Sequence, residues 1–325
     1  MERITELFSR RPQLPNFSGS VGKTVGGVTA ALAVIAVMYY PIGMALTHHV
    51  NDDIKFAAAE DAVPKGASFA VAATAGLIER EVDQVSWVAN DPWFMPGAAL
   101  DNMPNFQQGV VAALARFTFE LTDQIGRTRG SSQTDKDLQE AAGLLQYSGT
   151  KWVFDFSTSI APTATSEAQY RKARRSLIAY NKRLAEGNAV FERRADNLMA
   201  TLDRMALDLG SSSAAIDQHI GLYGGGIFDF QADDLFYSVK GQLYAYTILL
   251  RELARDFGNI IVERELTKAW SLMMGSFEHA AGLDPLVIVN GAPDGQMVPS
   301  HLAAQGFYLL RARTQMREIT NILLK

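Results

Sequence analysis

Residues 25–46 read Val-Gly-Gly-Val-Thr-Ala-Ala-Leu-Ala-Val-Ile-Ala-Val-Met-Tyr-Tyr-Pro-Ile-Gly-Met-Ala-Leu, a run without one charged side chain. An α-helix needs about 20 such residues to cross the hydrocarbon core of a bilayer, where its backbone groups have only one another as hydrogen-bond partners. Tyr39 and Tyr40 fall near the far end, where amphipathic rings favour the headgroup level. Gly26, Gly27 and Pro41 are more frequent in membrane helices than in soluble ones. A span of this kind divides the chain. Residues 1–22 are expected to be a cytoplasmic tail, 23–47 a transmembrane anchor, 48–65 a juxtamembrane connector, and 66–325 a single periplasmic domain.

The flanking charges set the orientation. Arg3, Arg10, Arg11 and Lys23 precede the run against Glu2 and Glu6, while Asp52, Asp53, Glu60 and Asp61 follow it against Lys55. Lys and Arg stay on the cytoplasmic side, so the expected location is a bacterial inner membrane with the bulk of the chain in the periplasm. A cleaved signal peptide fits less well, because its apolar stretch is about 7–15 residues long. The Ala57-Ala58-Ala59 triplet that resembles a cleavage site lies well past the run. His48 and His49 read as solvated interfacial side chains.

With 48% hydrophobic and 20% charged residues the chain is expected to fold, and a net charge of −5 gives it no basic footprint for nucleic acid. Apolar periodicity makes it all-α, a helical bundle with at least one very long helix. A first helix is expected over 68–88, carrying Glu79 and Asp83 on one face. Phe106, Val110, Leu114, Phe117, Leu121 and Ile125 mark a second, and Leu138, Ala142, Leu145, Trp152 and Phe156 a third. From a capping box at Ser166, a seam from Tyr170 to Leu209 steps by three and four with one stutter between Gly187 and Ala195. It predicts one rod of about 60 Å at 1.5 Å per residue, ended by Gly210-Ser-Ser-Ser213. Its other faces hold Arg171, Lys172, Arg174, Arg175, Lys182, Arg183, Arg193 and Arg194, a solvated face or a surface for anionic headgroups.

A short helix near 214–220, a glycine turn at 224–226, and helices through Phe236–Phe257, Leu266–Ala280 and Leu302–Leu323 complete the pattern. The run Leu286–Val289 is the one strand-like stretch, with a hairpin to Gln296–Val298 expected.

Between the first two helices, residues 87–107 hold Pro92, Pro96 and Pro104 together with Trp87, Trp93, Phe94 and Phe106. Prolines forbid one continuous helix, and long ordered loops rich in aromatic rings often serve in binding. Trp87, Asp91, Trp93, Phe94, Asp101, Asn102 and Phe106 are therefore the candidate interaction surface; the alternative is a loop that plugs the end of the bundle. The runs Trp-Val-Ala-Asn-Asp-Pro-Trp-Phe and Leu-Asp-Asn-Met-Pro-Asn-Phe-Gln resemble an uncharacterised family of proteobacterial single-pass inner-membrane proteins, defined only as a domain of unknown function. The resemblance covers most of the chain and implies a Gram-negative inner membrane. It brings no catalytic assignment, so no residue role carries over.

Catalytic and metal motifs are missing. There is no His-Glu-x-x-His, no Gly-x-Ser-x-Gly, and Ser148-Gly-Thr-Lys151 lacks the companion motifs of penicillin-recognising enzymes. His219, His279 and His301 are scattered, and Asp229, Asp233 and Asp234 lack the spacing of a calcium loop. No cofactor and no metal are expected. The function expected from these residues is a structural or assembly protein of the inner membrane, acting as a homo-oligomer or as a subunit of an envelope complex. A binding module for a lipid or cell-wall fragment is the alternative, and a hydrolase using Glu79 or Asp83 a distant third.

Overall fold

The computed structural model describes residues 20–57, 63–125, 134–155, 160–225, 229–293, 295 and 297–325. It divides into two units, residues 1–46 and 47–325. The first consists of α1 (Ser20–Thr47), a helix with Pro41 inside it. Residues 23–47 of it have a mean hydropathy of 1.8 and bury nothing, so one helix is long and apolar enough to cross a membrane.

The second unit is a helical bundle, as the apolar periods require. Its helices are α2 (Phe69–Glu79), α3 (Asn102–Glu120), α4 (Lys136–Leu145), α5 (Ser166–Ala185), α6 (Ala195–Tyr223), α7 (Phe230–Asp256), α8 (Gly258–Glu263), α9 (Thr267–Ala281) and α10 (His301–Leu323). Among the described residues there is no strand, only one bridge between Asn290 and Ser300. The expected hairpin is therefore absent there, Gln296 at the start of its second half lying outside the described residues; Leu286 and Val287 lie exposed on a loop.

The bundle is built around α7, against which α2, α3, α9 and α10 pack. Every residue from Val239 to Leu250 is buried. The expected single apolar face, Phe236 to Phe257, holds, but the remaining positions are covered too. They are small (Gly241, Ala245), aliphatic (Ile248, Leu249), aromatic (Tyr244), or polar with partners (Lys240, Gln242, Thr247). A helix surrounded on all sides buries far more than one stripe.

Where α3 crosses α7 the backbones nearly touch. A Cβ on Gly109 would stand 2.0 Å from the Ser238 carbonyl oxygen, and one on Gly241 would stand 2.1 Å from that of Phe106. Helix axes normally keep 8–10 Å apart, so both crossing positions demand glycine.

Several boundaries differ from the sequence reading. The 166–209 rod is two helices. Gly187 adopts φ +74°, Asn188 N–H donates to the Arg183 carbonyl at 2.8 Å, and Gly187 N–H to that of Leu184 at 3.1 Å. This glycine-stopped ending satisfies the last free carbonyls of α5. The stutter in the seam marks the break. Gly210–Ser213, in turn, interrupts nothing: α6 runs through it for 29 residues. Gly210 is where the Arg313 guanidinium lies against the helix, 2.9 Å from a Cβ built there, while its Nε donates to the Ala206 carbonyl at 3.0 Å.

The first expected helix stops at Glu79 and passes into a π-turn over Arg80–Gln84. The third stops at Leu145, which puts Trp152 on a loop; Phe156 lies outside the described residues. Thr165, not Ser166, caps α5, leaving the buried Ser166 hydroxyl to donate to the Ser148 carbonyl at 2.7 Å.

The connector does not hang loose from the domain. Lys240, Tyr244 and Arg251 lie along one side of α7 and hold it in turn. The fully buried Lys240 ammonium pairs with Asp52 at 2.6 Å, the Tyr244 hydroxyl donates to the Asp53 carbonyl at 2.9 Å, and Arg251 donates to the carbonyls of Ile54 and Phe56. Burying an ammonium is tolerable only with a carboxylate in contact, so Asp52 is bound where it lies.

Candidate functional site

The proline-rich segment divides sharply by burial. Trp87 is core: its indole N–H donates to the Gly149 carbonyl at 2.8 Å and its ring meets Tyr170 edge-on. Phe106 is also fully buried, in the first turns of α3 against Tyr244. Asp101 caps α3, accepting from Asn102 N–H at 2.9 Å, and the Asn102 amide faces Asp233 at 2.8 Å. Pro104 sits in the first helical turn, where its missing N–H costs nothing. Gln107, which the sequence did not single out, ties the loop down: it accepts from Val88 N–H at 3.1 Å and donates to the Ser86 carbonyl at 2.9 Å.

Trp93 and Phe94 face outward, 81% and 42% exposed. They do not stand alone. Phe94 meets Trp152 edge-on at 5.7 Å, Trp152 meets Phe154 at 5.6 Å, and Phe154 is 45% exposed. The patch is thus a row of four rings from two loops about sixty positions apart. The sequence hid its second half because the spacing of Trp152 from Leu145 fits a helical period. Asn90 joins the loops, donating to the Lys151 carbonyl at 2.8 Å and to Glu167 at 2.7 Å.

Beside the patch, burial first and Glu167 second push the Asp91 carboxyl up to about 6. Burial, Asp101 and Asp234 do the same for Asp233. In the unfolded chain both titrate near 4. Their raised folded values contribute stability that is complete below about 4 and lost as pH rises through about 6. The double variant Asp91→Asn, Asp233→Asn is therefore expected to melt a few degrees above the wild type at pH 7.5 and together with it at pH 4. Thermal scans that show no gain at pH 7.5 would overturn this.

The other candidates are mostly committed within the protein. Glu79 pairs with Arg174 and Asp83 with Arg171, each at 2.6 Å, so the two carboxylates serve α5. Lys172 pairs with Glu140 at 2.7 Å and Arg183 with Asp135 at 2.8 Å, which neutralises much of the basic face. The Lys151 ammonium pairs with Asp155, and the Ser148 hydroxyl with Thr150. His219 pairs with Asp229 at 2.7 Å. Among the described residues no cluster of His, Asp or Glu is placed to hold a metal.

Cavities open elsewhere in the bundle, two of them larger than 400 Å³. One, of about 410 Å³, lies between α3, α4 and α7 and reaches Asp208, whose carboxylate accepts from the Tyr246 hydroxyl at 2.6 Å and from the Gln242 amide. The other, of about 530 Å³, is a groove between α2 and α5 with an apolar floor.

No curated protein and no solved structure matches the chain. A family model does, over residues 6–223, which takes in α1, the connector, the aromatic loops, the α2–α5 groove and all of α6. The chain belongs to the family described as an uncharacterized protein conserved in bacteria, DUF2333.

Proposed function

We propose that the chain is a membrane-anchored assembly protein of the bacterial inner membrane, with its N-terminus cytoplasmic and its helical bundle in the periplasm. In this reading α1 holds the bundle at the bilayer, and copies associate through the Trp93–Phe94–Trp152–Phe154 row. The observation that carries it is the exposure of that row. An aromatic patch held rigidly by Gln107 and Asn90 offers large area at little entropic cost, the chemistry enriched at the centres of protein interfaces. The pairing of Glu79 and Asp83 with arginines favours this reading over a hydrolase.

The test is native mass spectrometry of the full-length protein released from mild detergent, wild type beside Trp93→Glu, Phe94→Glu. A discrete wild-type oligomer and a monomeric variant are expected, with Tm unchanged because the substituted rings lie at the surface. An oligomer that survives both charges removes the patch from the interface. A wild-type monomer with a second protein in fixed ratio, lost in the variant, would assign the patch to an envelope partner instead.

A further inference from the structure

The α2–α5 groove has the form of a site for a single lipid chain. The two helices run antiparallel. At one end Ser68 N–H donates to Asn181 Oδ1 at 2.8 Å, and at the other Glu79 pairs with Arg174 at 2.6 Å. Between them Val71, Ala72, Ala75 and Gly76 of α2 face Leu177 and Ile178 of α5. The lining runs from Val71 to Glu79 on α2 and from Arg174 to Lys182 on α5, eight residue steps on each helix, so the trough is about 12 Å long at 1.5 Å per residue. Small side chains on α2 keep it open. Phe56 forms a wall at Gly76, where an added Cβ would meet its ring at 3.2 Å, and Arg80 stacks on the same ring. The volume of about 530 Å³ is that of a small-ligand site.

Charge distinguishes the two ends. Arg174 is neutralised by Glu79 through Nη2, although its buried Nε has no hydrogen-bond partner. At the opposite end Lys182 is 75% exposed and stands 3.9 Å from Glu186, a loose surface pair of little energetic weight. The groove therefore joins an apolar floor to a cation available at its mouth. Phe56 also follows Thr47, the last residue of the apolar helix, by nine residues, a reach of at most about 32 Å for an extended chain. Acyl chains lie within that reach if α1 spans a bilayer.

We infer that the α2–α5 groove binds a long-chain fatty acid, its acyl chain on Ala72, Gly76 and Ile178 and its carboxylate at Lys182. This rests on the membrane-anchor part of the proposed function and not on self-assembly through the aromatic row.

The test uses the full-length protein in nanodiscs, labelled by a diazirine-bearing palmitic acid and mapped by peptide mass spectrometry. Labelling is expected within 71–76 and 177–182, competed by plain palmitate. It should fall at least five-fold in Lys182→Glu and in Ile178→Glu, both changes at exposed positions that leave Tm in place. Ala72→Trp, which fills the trough, should abolish it. Labelling confined to α1, or groove labelling that none of the variants reduces, would overturn the assignment. Competition by phosphatidylglycerol but not by palmitate would overturn the single-chain ligand. Because Trp93→Glu, Phe94→Glu is read by mass and these variants by labelling, failure of one proposal is distinguishable from failure of the other.

Discussion

Gly241→Ala is expected to be among the most damaging single-atom additions in this protein. In an open helix the change stabilises, since alanine exceeds glycine in helix propensity by about 1 kcal/mol. At Gly241 the new carbon would stand 2.1 Å from the Phe106 carbonyl oxygen, a backbone atom that no rotamer change can move. The α3 and α7 backbones must part along their whole crossing, and the overpacking cost of about 1–3 kcal/mol seen for buried side chains is a lower bound. Gly109→Ala meets the Ser238 carbonyl at 2.0 Å and should behave alike. The control is Gly143→Ala on α4, where nothing lies within 4 Å; it should be neutral or slightly stabilising. Thermal denaturation followed by circular dichroism separates the three. Equal Tm values for Gly241→Ala and Gly143→Ala would show that the crossing is looser than the geometry states.

Asp256→Ala should lower stability by about 3–5 kcal/mol, the range for breaking a buried, hydrogen-bonded charge. The side chain ends α7 and is wholly buried, yet it acts on α2. Its carboxylate accepts from the Ser68 hydroxyl at 2.7 Å, from Ala70 N–H at 3.0 Å and from Phe69 N–H at 3.1 Å. The first N–H groups of a helix have no partner within it and attract negative charge. Asp256 thus supplies across the bundle what a local cap supplies only in part, Ser68 itself accepting from Val71 N–H at 3.2 Å. Arg193 approaches from the other side at 3.5 Å. Burial pulls the carboxyl above the usual range while these donors pull it down. Alanine would leave two backbone N–H groups and a hydroxyl buried and unmatched, at about 1–3 kcal/mol each. Urea denaturation measures the loss; a midpoint equal to the wild type's would mean that water replaces the carboxylate. The change would also shift one wall of the groove, since α2 forms it.

Both effects arise between residues more than a hundred positions apart, which is why neither was legible in the chain. What could be read was local. The apolar run to Leu46 announced a helix able to span a bilayer, and three-four spacing located α3, α7, α9 and α10 with their buried faces. Gln305, a polar residue on the otherwise apolar buried face of α10, donates to the Phe236 carbonyl at 3.0 Å. Period fails where a helix stops without losing its rhythm. The seam ran on past Gly187 because only backbone conformation records the left-handed residue that ends α5. It stopped too early at Gly210, where a contact with Arg313 gives the glycine its reason.

The candidate surface was legible in half. Trp93 and Phe94 stood out by composition, but Trp87 and Phe106, chosen on the same ground, are core. Aromatic content says that a loop must bury area; it does not say which rings. Their partners Trp152 and Phe154 reach the patch through Asn90 and a fold-back that no short-range pattern encodes. By itself, then, the sequence determined the α-helical class, the single bilayer-length helix and most buried helix faces, because hydrophobic period and segment length act over one or two turns. Only the tertiary structure decided the α3–α7 crossing, the pairing of Glu79 and Asp83 with α5, the row of four rings and the open groove. Each depends on which distant residues come within contact distance, and chain order does not carry that information.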